Sequence, residues 1–219
     1  MKQPHGFFYR NGLTITFMVL LIVFLSAQAY TGWIEYNKEL KEDHESTITL
    51  LTYLSSPHFM EATFENWESE FLQMGLYVIL TVKLRQKGSA ESKSLDEKEE
   101  VDREPQPHAK APWAVKKGGF ILNLYKYSLS IAFILLFLGS FILHFKGSMM
   151  EYNTEQAGKG APLESASEYF TNTKFWFESF QNWQSEFLSV AAIVFLSIYL
   201  RQYGSPESKP VDAPDDETG

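Results

Sequence analysis

Asn66, Ser69, Glu70 and Gln73 share one side of a helix when the chain is plotted at about 100° per residue. Asn182, Ser185, Glu186 and Ser189 do the same later in the chain. An acid or amide that enters a bilayer is costly unless it meets a partner or a wet cavity. Two uses follow for such a stripe. Its amides and acids can hydrogen-bond neighbouring helices as polar glue. Alternatively, Glu70 and Glu186 face each other and handle a proton, a cation or a polar ligand. The opposite side of each helix is aromatic, with Phe64, Trp67 and Phe71 in one copy and Phe180, Trp183 and Phe187 in the other. Trp67 and Trp183 suit the headgroup level of a membrane, as do Tyr36 and Tyr152. Between the stripes, Glu65 and Glu68 are replaced in the second copy by Gln181 and Gln184, so this flank reads as drifting.

Other chemistry is sparse. Glu35 and Glu39 lie one turn apart and could take a divalent cation, but a solvated helix end explains them more simply. His44 and His58 invite a metal, yet their counterparts are Gly160 and Lys174, which supports no symmetric site. The chain has no Cys, which excludes disulfides and thiolate chemistry. It has no phosphate-binding Gly-rich loop, no His-Glu-x-x-His and no nucleophile–base pairing. No metal, cofactor or enzymatic activity is therefore expected. A net charge of -8 argues against nucleic acid as a partner.

The two stripes belong to a larger repetition. A constant shift of about 116 residues aligns 13–93 with 129–209 without a gap, about a third of the positions being identical. Matches include Glu35-Tyr36-Asn37 with Glu151-Tyr152-Asn153, and Gly-Ser-x-Glu-Ser-Lys starting at Gly88 and Gly204. Chance similarity of apolar helices would not reproduce the polar and aromatic matches.

Residues 11–34 contain no charge, long enough to cross a hydrocarbon core of about 30 Å. Residues 127–145 form a second such span, with His144 its one conspicuous polar side chain. The first span resembles a signal peptide, with Ala27-Gln28-Ala29 as a cleavage site, but it is too long and its counterpart lies mid-chain. Helices are expected over 12–34, 61–87, 124–145 and 175–203. Residues 1–88 and 113–204 would each be a helix-pair repeat. Residues 89–112 and 205–219 are too polar to bury a core and are expected to be a disordered linker and tail. Lys and Arg flank the termini and linker while the two interhelical loops are mostly acidic, which places termini and linker in the cytoplasm.

Thr31-Gly32-Trp33-x-Glu35-x-Asn37, the run His58-Phe59-x-Glu61-Ala62-x-Phe64-Glu65-Asn66-Trp67, Ser69 to Gln73 and Gly88 to Lys93 together resemble a family of small bacterial membrane proteins of unknown function. The resemblance implies a bacterial inner-membrane protein with a duplicated helix-pair unit and supplies no activity. The expected fold is thus an all-α membrane protein of four transmembrane helices in two parallel repeats. Its expected role is a structural or interaction protein of the envelope, with a small transporter or channel as the alternative. Its partners would be the lipid bilayer and either a second copy or another membrane protein.

Overall fold

The computed structural model describes residues 6–218. Lys2, one of the basic residues of the N-terminal flank, lies outside them. The described chain is helical and contains no strand. The α-helices are α1 (Phe7–Glu42), α2 (Leu50–Tyr53), α3 (Pro57–Thr81), α4 (Trp113–Lys117), α5 (Gly119–Lys126), α6 (Ser128–Gly158), α7 (Ala166–Tyr169) and α8 (Thr173–Tyr199). The long helices occupy the four expected places with shifted ends. α1 and α6 continue well past their apolar stretches. α3 stops at Thr81, short of Gly88. The expected third helix is broken at Tyr127, with α5 preceding α6.

Local chemistry sets these ends. Pro57 opens α3 with φ already suited to a helix, and the Ser56 hydroxyl caps it by accepting from the Phe59 amide. Asn172 caps α8 by accepting from the Lys174 amide. α1 ends through His44, which takes the left-handed conformation (φ 64) that Gly160 (φ +67) takes after α6. His44 is thus a helix terminator, which accounts for a histidine that the sequence left idle.

The same bonds recur in both halves. Asn37 holds Ile48 at both its N–H and its C=O (2.7 and 3.0 Å). Asn153 holds Glu164 in the same way (2.8 and 2.9 Å). Arg85 donates to the carbonyls of Thr81, Val82 and Leu84, and Arg201 to those of Ser197, Ile198 and Leu200. Ser92 accepts from the Gln86 amide and Ser208 from the Gln202 amide.

The closest packing is not within a half. α3 lies chiefly against α6, and secondarily against α8, while α1 is lightly attached. Gly147 allows the α3–α6 approach, because a Cβ there would sit 2.7 Å from the Glu61 backbone nitrogen. Segments 43–56 and 159–172 lie at one end of the bundle, and Asp43, Glu45 and Lys159 line one cleft there. The linker and tail meet at the other end. Lys87 pairs with Asp216, Ser89 bonds Ser197, and Lys209 Nζ donates to the carbonyls of Pro214, Asp215 and Glu217.

Burial runs opposite to that of a water-soluble bundle. Glu68, Ser69, His144, Ser148 and Ser179 are fully buried, whereas Leu13, Phe17, Phe24, Leu135 and Phe195 face outward. Two helices among the described residues, α1 and α6, are long and apolar enough to cross a membrane, not the expected four. α3 and α8 fall short because their first halves carry Glu61, Glu65, Glu68, Glu70, Lys174, Glu178 and Glu186, which leaves each only a short apolar second half.

Candidate functional site

The buried polar groups form one seam where α3, α6 and α8 meet. On α3, Glu61, Glu65 and Glu68 share a face, and Ser69, Gln73 and Tyr77 continue it as a band that winds round the helix. On α6 the matching face carries Ser140, His144, Gly147, Ser148 and Glu151. α8 contributes Lys174, Glu178, Ser179 and Asn182.

His144 is the centre. It is fully buried, with Nδ1 3.1 Å from Glu68 Oε2 and Nε2 3.7 Å from Glu178 Oε2. Neither ring nitrogen has a hydrogen bond of good geometry, and Glu68 Oε2 also lacks one. The group is thus held by close approach of an imidazole to two carboxylates without a well-directed hydrogen bond. Glu68 Oε1 accepts from Trp183 Nε1 at 3.1 Å. Glu178 Oε2 accepts from Ser148 Oγ at 2.9 Å, and Ser148 Oγ lies 2.6 Å from the Tyr169 hydroxyl. Since Ser148 spends its one proton on Glu178, Tyr169 is the donor in the second bond. Lys174 Nζ completes the cluster between Glu61 (3.4 Å) and Glu178 (3.6 Å). Asn182 donates to Glu65 across the α3–α8 contact.

Above the cluster, at the end bearing segments 43–56 and 159–172, a cleft of about 710 Å³ opens outward. Glu39, Asp43, Glu45, Glu61, Glu65, Glu151 and Glu155 line it against Lys159 and Lys174. Glu61, Glu65 and Lys174 belong to both the cleft and the seam, so the acidic opening leads to the buried ion pairs. At the far end of α3, the Tyr77 hydroxyl donates to Glu91, whose carboxyl also meets that of Glu207. Burial, and next the Glu207 charge, raise the Glu91 carboxyl above the ordinary carboxylate range, against the opposing pull of the Tyr77 hydrogen bond. Glu61 to Tyr77 spans about 24 Å of helix, so polar groups run along most of the length of α3.

The stripe expected from the sequence is divided. Gln73 is buried in the seam and Asn182 works in it. Asn66 is exposed and its side chain donates back to the Ala62 carbonyl of its own helix. Glu70 is exposed and Glu186 half-buried, close enough for their charges to interact. Neither carboxylate accepts a hydrogen bond among the described residues, contrary to the expectation of inward-facing, bonded acids. The physical reason is a rotation: α3 turns its Glu61–Glu65–Glu68 face to α6, which carries Glu70 toward the outside. Ser189 is exposed and donates to the Glu186 carbonyl. Trp183 is no simple anchor, since its ring nitrogen serves Glu68. Trp67 stacks edge-on with Phe64. Tyr36 packs on Tyr53 and His58, and Tyr152 donates to Glu164.

The residues that sequence reasoning passed over are Glu61, Glu65, Glu68, His144, Lys174 and Glu178. Two signals were present. The acids on α3 are spaced four and three apart, and His144 interrupts an otherwise apolar span. His144 corresponds to Gln28 and Glu68 to Gln184, so the acidic and basic members of the cluster stand where the two segments differ, whereas Tyr169 and Trp183 match Tyr53 and Trp67. No curated protein and no solved structure matches the chain. The family model described as Domain of unknown function (DUF6766) matches residues 4–219, and the chain belongs to that family.

Proposed function

We propose that this protein is an integral protein of the bacterial inner membrane that passes protons or small cations through the α3–α6–α8 seam. One observation carries the reading: His144, fully buried between two carboxylates, lies below an acidic cleft that opens at one end of the bundle. Intramembrane ionisable groups of this kind mark ion and proton pathways. The apolar exterior and polar interior support a bilayer as solvent. In this reading α3 and α8 also cross, with their charged halves turned inward to the seam. The bonds shared by Asn37 and Asn153, and by Arg85 and Arg201, support a duplicated two-helix unit. Lys and Arg at the linker and tail support their cytoplasmic placement, with the acidic cleft outside. α1, whose apolar stretch buries no residue, would contact lipid, a second copy or another membrane protein. A catalytic role is no part of this reading.

The deciding experiment is reconstitution into liposomes with an internal pH-sensitive dye and an imposed potential. Wild-type protein should dissipate a proton gradient, and Glu68→Gln and His144→Gln should not, although both remain monodisperse. Flux equal to that of empty liposomes under proton and potassium gradients would reject the reading. It would favour the other one, an envelope protein whose seam serves as polar glue. The observation behind that second reading is that Lys174 is paired on both sides, with Glu61 and Glu178.

A further inference from the structure

A different surface shows a second kind of chemistry. Between Glu104 and Glu151 the chain holds no acidic residue, although its net charge is -8. Lys110, Lys116, Lys117 and Lys126 fall in the first half of that interval, on and beside the α4–α5 elbow that feeds directly into α6. The elbow turns at Gly118 and Gly119, both with positive φ (69 and 58) and with open space where a Cβ would be. Trp113 is 68% exposed and Phe120 80% exposed, far more than large aromatics on a water-facing surface should be. A groove of about 340 Å³, lined by Trp113, Ile121, Leu124 and Tyr125 among others, runs between the two helices. Lys117 Nζ lies 6.0 Å from the Trp113 ring centre, so the basic and aromatic groups share one surface. Lys126 pairs at 3.3 Å with Glu104, an exposed carboxylate.

We propose that the α4–α5 elbow is a docking surface for anionic phospholipid, with the lysine ammonium groups on headgroup phosphates and Trp113, Phe120 and Leu124 in the acyl boundary. Clustered lysines beside exposed aromatic and aliphatic side chains, next to an apolar helix, have the composition of a segment lying in the headgroup region. Anionic leaflets favour such segments by about fivefold in affinity per lysine. The inference rests on the membrane reading above but not on any ion passage.

The test uses the full chain in nanodiscs that mix phosphatidylglycerol with phosphatidylcholine, followed by native mass spectrometry of lipids retained after release. Wild-type protein should retain phosphatidylglycerol preferentially. Lys116→Gln/Lys117→Gln/Lys126→Gln should lose that preference, by about fivefold for each lysine removed. Lys38→Gln/Lys41→Gln, at the opposite end of the bundle, should keep it. Equal retention of the two lipids by wild type, or an unchanged preference in the triple variant, would overturn the proposal. Carbonate washing of cell membranes separates the causes. A chain released by carbonate refutes the membrane reading together with this one. A chain that stays but shows no lipid preference refutes only the elbow.

Discussion

His144 Nδ1 and Glu68 Oε2 lie 3.1 Å apart with both side chains fully buried, which joins α6 of the second half to α3 of the first. Removing one member of such a pair leaves the other desolvated and unpaired, at a cost of about 3–5 kcal/mol. Glu68→Leu and His144→Leu should each lower stability by that amount in a denaturation series in detergent. The double replacement should cost less than the sum of the two, because neither member is then left unpaired by the other, while Trp183 Nε1 still loses its acceptor. Additive losses in the double variant would show that the two side chains are not coupled.

Much of the fold was legible because matching motifs stand at both ends of a constant sequence shift. The four long helices, the Asn37 and Asn153 clamps and the Gly88 and Gly204 turns all rest on residues that both halves retain. The site was less legible for the opposite reason. The acid–base contacts between α3, α6 and α8 join positions whose residues differ across that shift. Glu68 with His144 has become Gln184 and Gln28 elsewhere, and identity between halves pointed away from it toward Glu70 and Glu186. Helix periodicity alone did not settle which polar face of α3 turns inward. That choice depends on Gly147, whose missing side chain admits the Glu61 backbone.

Glu70→Gln and Glu186→Gln should change little. Glu70 is exposed, Glu186 half-buried, and neither carboxylate accepts a hydrogen bond among the described residues. Exposed substitutions of this kind stay within about 0.5 kcal/mol. Melting midpoints and proton flux should match wild type. Loss of flux in either variant would return the chemistry to the stripe first read from the sequence.

The clamps give a symmetric test. Asn37→Ala frees the Ile48 N–H, whose C=O keeps the Trp33 ring N–H, and Asn153→Ala frees both backbone groups of Glu164. Each should cost about 1–3 kcal/mol, the range for leaving buried polar groups unpaired. Amide exchange at Ile48 and at Glu164 should accelerate only in the matching variant. Unchanged exchange in either would mean that the clamp does not hold its loop in solution.

The Glu91–Glu207 contact at the linker end should make stability depend on pH. Burial, and then the Glu207 charge, raise the Glu91 carboxyl above its unfolded value. A raised carboxyl binds its proton more tightly when folded, so its favourable contribution is complete below the unfolded pKa, about 4.3. The contribution is lost as pH rises through the folded value. Melting midpoints of wild-type protein should therefore fall across that interval as pH increases. Glu91→Gln should flatten the profile and leave the neutral-pH midpoint equal or higher, since the amide keeps a partner for Tyr77 without the repulsion. A parallel pH profile in the variant would remove Glu91 as the titrating group.

Gly147 offers the sharpest test of how the seam is assembled. A Cβ at this position would lie 2.7 Å from Glu61 N, 3.1 Å from Glu61 Cα and 3.2 Å from the Met60 carbonyl carbon, all of them backbone atoms. Backbone cannot swing aside as a flexible side chain can, so Gly147→Ala must push α3 off α6. His144 lies one turn before Gly147 and Glu68 two turns after Glu61, so the displacement opens the buried pair. Gly139 on the same helix has nothing within 4 Å of a built Cβ and provides the control. Gly147→Ala should lose about 1–3 kcal/mol, the usual cost of overpacking, and should also lose proton flux. Gly139→Ala should retain both. Amide exchange along α3 reports the helix separation directly. Faster exchange from Glu61 to Glu68 in Gly147→Ala, with Gly139→Ala unchanged, is the expected outcome; equal protection in both variants would show that this glycine does not set the helix spacing.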